Sequence, residues 1–136
     1  MYESSEWKDS PWITLDPEGW APLTEGRTPA QYRKKAILFH QEDAADAVFI
    51  VKSGRLRITS YQEDGAEKQL YIAEKGAMVG ESSCLNGAAH QFSAVAIVDS
   101  LVWKVPAAEL REAMEHDWQL TQRGISLLCR KNDVVY

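Results

Sequence analysis

Between Ala36 and Val105 turn residues cut the chain into short apolar runs, and this segmentation restricts its fold more than any other feature. Ala36–Phe39 and Ala47–Val51 are separated by polar Gln41, Glu42 and Asp43, and both runs are too short for a stable helix. Gly54 closes one strand before Arg55–Tyr61, where Leu56 and Ile58 alternate with Arg55 and Arg57 in the period of a half-buried strand. Asp64-Gly65 is the strongest short hairpin signal, because a type I′ turn wants positive φ, and Lys68–Ile72 supplies the return strand. Phe92–Ile97 and Leu101–Val105 follow, divided by the turn residues Asp99 and Ser100. Many short strands with regular turn signals predict a mainly β sandwich or barrel.

The texture differs at both ends. Residues 1–30 carry Trp7, Trp12 and Trp20 among prolines and glycines that forbid a long helix, so they read as a lead-in whose rings pack on the body. Beyond Pro106, which a first helical turn accepts, Ala107–Met114 has high helix propensity. Asp117 can cap a second helix from Trp118, along which Leu120, Leu127 or Leu128, and Val134 or Val135 recur at helical spacing. Such a stripe packs on the chain's own barrel or pairs with a second copy. The expected organisation is a lead-in over 1–30, a β-body over 31–105 and two helices over 106–136.

The chemistry concentrates in Gly76–Ser83. Gly76 and Gly80, followed by Glu81, Ser82 and Ser83, let the backbone fold tightly and aim N–H groups at an anion. Yet no Lys or Arg stands between Gly76 and Trp103. A phosphate cradle lacking its cation points to a sensor of something other than a simple phosphate ester. The net charge of −5 argues against a direct grip on nucleic acid, and Arg33-Lys34-Lys35 reads as a solvated cluster. No run approaches the roughly 18 apolar residues of a membrane span, and the acidic start lacks the order of a signal peptide, so a cytoplasmic protein without membrane contact is expected. Cys84 and Cys129 read as free thiols of a reducing compartment. His40, His90 and His116 lack the spacing of metal ligands, so no metal or other cofactor is expected.

In this order, the segments resemble the sensor domain of the Crp/Fnr family of bacterial transcription regulators. The residues that carry the resemblance are Tyr32–Gln41, the opening strand; Phe49–Ile58, with Gly54 between two apolar strands; and Lys75–Glu81, similar to the start of the family's phosphate-binding cassette. The resemblance covers roughly residues 30 to 136 and implies a double-stranded β-helix, or jelly roll, of the cyclic-nucleotide-binding type, followed by C-terminal helices. It also implies a homodimer through a long helix and a helix-turn-helix DNA-binding domain that this chain does not contain, so the expectation is a fragment of a longer regulator or else a naturally short sensor module. In the family's cyclic-nucleotide binders the cassette offers backbone N–H groups, a Glu takes a ribose hydroxyl and an Arg pairs with the cyclic phosphate. Gly80 and Glu81 match, Ser82 and Ser83 stand where the N–H groups face the ligand, and the Arg position falls at His90 or Gln91. Losing a bidentate, charge-assisted donor removes about 1.5–3 kcal/mol from phosphate affinity. The expected ligand is therefore an uncharged or carboxylate-bearing small molecule, touched as well by Asn132, Val135 or Tyr136 late in the helix. A cAMP or cGMP module with an atypical phosphate site is the alternative. A cupin-like metalloenzyme would need converging histidines, and His40 and His90 are too far apart for it, so no catalytic residue is assigned.

Overall fold

The computed structural model describes residues 12–135; Trp7, Tyr136 and the side chains of Trp12, Val134 and Val135 lie outside the described residues. Two sheets face each other in a jelly roll, as expected. One has the order β1-β6-β5-β8-β3, where β1 is Trp12–Ile13, β3 Ile37–Phe39, β5 Leu56–Tyr61, β6 Glu67–Ala73 and β8 Ser93–Ala96. The other has the order β2-β9-β4-β7, where β2 is Ala30–Tyr32, β4 Ala47–Ser53, β7 Met78–Val79 and β9 Ser100–Pro106. Among these pairings only β1 with β6 is parallel.

Burial follows the sequence pattern. Ala47–Val51 is apolar without alternation, and β4 is buried along that whole stretch between β9 and β7. In β5, Leu56 and Ile58 point into the core while Arg57 is half-buried. Trp103 belongs to the core and its Nε1 donates to the carbonyl of Arg27 at 3.1 Å.

The Asp64-Gly65 hairpin forms with a different turn. A type I′ turn needs positive φ at both central residues, and here only Gly65 has it, at 86°. Gly65 N–H instead donates to the carbonyl of Gln62, and the Asp64 carboxylate accepts from Ala66 N–H at 2.9 Å. The side chain closes the longer loop, a common use of Asp in turns.

The helices are α1 (Ala21–Thr24), α2 (Glu81–Asn86), α3 (Ala107–His116) and α4 (Trp118–Val135). Pro106 sits one position earlier than expected, ending β9 and acting as the N-cap of α3. Asp117 caps α4 as read, its Oδ1 accepting from Leu120 N–H at 3.0 Å. The buried face of α4 runs through Leu120 and Leu127 and is continued by a lysine, Lys131, which is only 9% exposed. Trp118 and Ile125 lie on its exposed side.

The described part of the lead-in, from β1 onward, braces both the cassette and α4. Trp20 is buried, with Nε1 donating to the carbonyl of Gly76 at 2.6 Å. The Arg123 guanidinium lies 4.7 Å from the centre of its ring, and Arg130 donates to the carbonyl of Thr14 at 2.7 Å. One short strap therefore ties the start of the cassette to the helix that crosses it.

Candidate functional site

Glycine makes the cassette possible. Gly80 has φ 86°, the left-handed region that L side chains avoid, and a Cβ there would meet His90 Cε1 at 3.0 Å. This turn ends β7 and starts α2 with no intervening loop, so Glu81, Ser82 and Ser83 form the first helical turn, whose N–H groups have no partners within the helix. Gly87, again with positive φ at 68°, closes α2 and accounts for its brevity.

This turn forms one wall of a cavity of about 340 Å³ between the β-body and α4. The structure brings together every described residue singled out for the site: Gly80, Glu81, Ser82, Ser83, His90 and Gln91, with Asn132 from α4. Phe39, Ile58, Tyr71, Val79, Phe92, Leu128 and Lys131 complete the lining. Tyr71 and Phe92 face the cavity, and Tyr71 is at the same time buried. Tyr136, and the side chain of Val135, fall outside the described residues.

The Glu81 carboxylate is engaged by a side chain of α4. Its Oε1 accepts from Lys131 Nζ in a buried ion pair, while Oε2 is buried with no hydrogen-bond partner. Lys131 Nζ also donates to the carbonyl of Met78 at 2.5 Å and lies 5.3 Å from the centre of the Tyr71 ring. Burial works against the Lys131 charge, but the Glu81 carboxylate and the Tyr71 hydroxyl together hold its proton above the usual lysine range. Burial pushes the Tyr71 phenol up, with the Lys131 charge pulling the other way. A buried ammonium thus ties α4 to the cassette, a contact that no spacing rule would find. Its only signal in the sequence is position: Lys131 is four residues beyond Leu127 on the apolar stripe.

His90 does not replace the family's arginine as a cation. It is 4% exposed, and its ring stacks on Phe39 at 3.8 Å between centroids and 15° between planes. Burial lowers its pKa, with Asp43 and Asp46 partly opposing, so the ring is neutral near pH 7. Gln91 is exposed at the cavity rim. Among the described residues, Glu81 and Lys131 are therefore the only formally charged side chains lining the cavity, and they are paired with each other.

The thiols divide by environment. Cys84 is buried on α2, its Sγ lies 3.2 Å from the carbonyl of Ala47, and burial pushes its pKa up to about 11; Cys129 is exposed on α4. Among the described residues no group of three His, Cys, Asp or Glu side chains could hold a metal ion, and no helix is long and apolar enough to cross a membrane.

Residues 29–117 match the family of the cyclic nucleotide-binding domain. Patatin-like phospholipase domain-containing protein 7 of Rattus norvegicus is 32% identical over 94 residues, which is 69% of this chain and 7% of that protein. The CRP-like cAMP-activated global transcriptional regulator of Mycobacterium tuberculosis (strain CDC 1551 / Oshkosh) is 23% identical over 117 residues, or 86% of this chain and 52% of the regulator. In structure, the Thermus thermophilus catabolite activator protein superposes with a TM-score of 0.74 at 24% identity, over 86% of this chain and 55% of its own. FixK2 from Bradyrhizobium japonicum gives 0.69 at 24% identity, over 80% and 54%. The chain thus spans about half the length of these regulators and a small part of the phospholipase domain protein. With its two-sheet roll, its glycine-bounded cassette and the helix laid across it, the chain belongs to the cyclic nucleotide-binding domain family and has the sensor fold of Crp/Fnr-type regulators.

Proposed function

We propose that this chain is the effector-sensing domain of a Crp/Fnr-type transcription regulator, and that its effector is a small molecule other than a cyclic nucleotide. One observation carries the reading. The cassette forms one wall of the cavity, but the one ammonium among the described lining residues is committed to Glu81, and the position that the resemblance gives to arginine holds His90, whose charged form burial disfavours, or Gln91. A cyclic phosphate entering there would gain no free cation and would face a carboxylate.

The same pair explains how binding would be relayed. Glu81 belongs to the cassette and Lys131 to α4, so any occupant that competes for Glu81 acts on the helix that crosses the roll. A ligand shifts a two-state equilibrium only through contacts that differ between the states, and this contact can differ. The exposed side of α4, with Trp118 and Ile125, is suited to a second copy, and a DNA-binding domain following α4 would receive the shift. The proposed role is that of a cytoplasmic binding module, not an enzyme.

The test is titration calorimetry of the chain with cAMP and with cGMP. The expected result is no binding tighter than millimolar for either. Micromolar binding of one of them would overturn the reading and establish the alternative, a cyclic-nucleotide module with an atypical phosphate site.

A further inference from the structure

We infer that the cavity is a site for an organic ammonium ion, held by Glu81, the Met78 carbonyl and the Tyr71 face, and that Lys131 is the site's built-in occupant, displaced when the effector binds. The inference rests on the reading of this cavity as an effector site and adds the ligand's chemical class and the means of release.

The surroundings of Lys131 Nζ are those an ammonium ligand requires. It has a carboxylate in Glu81, a carbonyl at 2.5 Å in Met78 and the face of Tyr71 at 5.3 Å. An ammonium has three donors and is attracted to an aromatic face, so these partners satisfy it. All three belong to the cassette or the β-body, whereas the charge they hold is delivered from α4. Beyond them Phe39, Phe92 and His90 line the same cavity beside aliphatic Ile58, Val79 and Leu128, giving an apolar wall for the rest of the guest. Once Lys131 withdraws, no other cation among the described residues lines the cavity to repel a positively charged guest.

Charge conservation makes the exchange workable. Removing one member of a buried ion pair strands the other, which is strongly unfavourable. An effector ammonium taking the place of Nζ never leaves Glu81 unpaired, and the unused Oε2 of Glu81 has capacity for a further donor. An anion has no such route, because it meets Glu81 first. The apolar body of the guest would occupy the rest of the 340 Å³ space, against Ile58, Val79, Phe92 and Leu128. Lys131 and α4 would then part from the cassette together.

The test uses the whole chain, calorimetry, and two probes of nearly equal shape, 2-phenylethylammonium and neutral 2-phenylethanol. The expected result is binding of the ammonium at least tenfold tighter than the alcohol. Lys131→Met should tighten the ammonium at least tenfold further and leave the alcohol unchanged, and Glu81→Gln should remove the preference. If Lys131→Met does not fold, the wild-type comparison of the two probes decides alone. Equal affinity for both probes, or an unchanged or weakened ammonium affinity in folded Lys131→Met, would overturn the inference. Either outcome, with cAMP and cGMP still failing to bind, would leave the effector-sensor reading standing. Micromolar cyclic nucleotide binding would remove that reading itself.

Discussion

Lys131→Met gives the sharpest forecast for stability. Methionine matches the length of the lysine stem, so the substitution removes the charge with little change in packing. Glu81 and Lys131 are 5% and 9% exposed, so the carboxylate left behind is largely shielded from bulk water in the native state. The carbonyl of Met78 loses its donor as well. Breaking a buried pair from one side costs about 3–5 kcal/mol, against about 5–15 kcal/mol for a whole domain. Urea denaturation at pH 7, followed by tryptophan fluorescence, should therefore show a large fall in midpoint at unchanged slope. Adding Glu81→Leu should recover most of the loss, since replacing both charges with apolar groups is often neutral or stabilising. A loss below about 1 kcal/mol, the worth of an exposed pair, would refute the buried latch.

Gly80→Ala should destabilise the fold by about 1–2 kcal/mol, because a side chain is strained at φ 86° and its Cβ would press on His90; the shift in urea midpoint measures it. With Ellman's reagent at pH 8, Cys129 should react rapidly in the folded chain, and Cys84, buried with a pKa near 11, should react only on unfolding. For His90, folding lowers the pKa below 6.5, so its contribution is complete above pH 6.5 and is lost as the pH falls; a pH series of melting temperatures should show an acid loss that His90→Asn reduces. For Lys131, folding raises the pKa above 10.5, so its contribution is present below pH 10.5 and is lost as the pH climbs past it, a limb that Lys131→Met should flatten.

The architecture was legible because its signals are local. Unbroken Ala47–Val51 becomes a central strand buried along that stretch, the alternation around Leu56 and Ile58 sets the facing of β5, and Asp117 is followed by a helix that it caps. Short strands were harder. β1, β2 and β7 are two or three residues long and owe their existence to partners far away in sequence, as Ala30 owes its pairing to Val102. The hairpin was placed correctly but its turn was not, since the Asp64 carboxylate competes with the backbone for Ala66 N–H. In the site, Gly80 and Glu81 were visible as a motif, whereas Lys131 was not. A lysine on a helix stripe reads as a solvent-facing interruption until the fold places a buried carboxylate opposite it.

The most direct measurement of the central claim is to restore the missing cation. Gln91 lies at the cavity rim, at one of the two positions that the family resemblance assigns to the arginine, and is exposed enough to accept a larger side chain. A bidentate guanidinium facing a phosphate is worth about 1.5–3 kcal/mol, or roughly 10- to 150-fold in affinity. Calorimetric titration of cAMP into the wild-type chain and Gln91→Arg should give no binding tighter than millimolar for the first and at least a tenfold gain for the second. Micromolar cAMP binding by the wild-type chain would contradict the account outright, and so would a Gln91→Arg chain that folds but gains nothing.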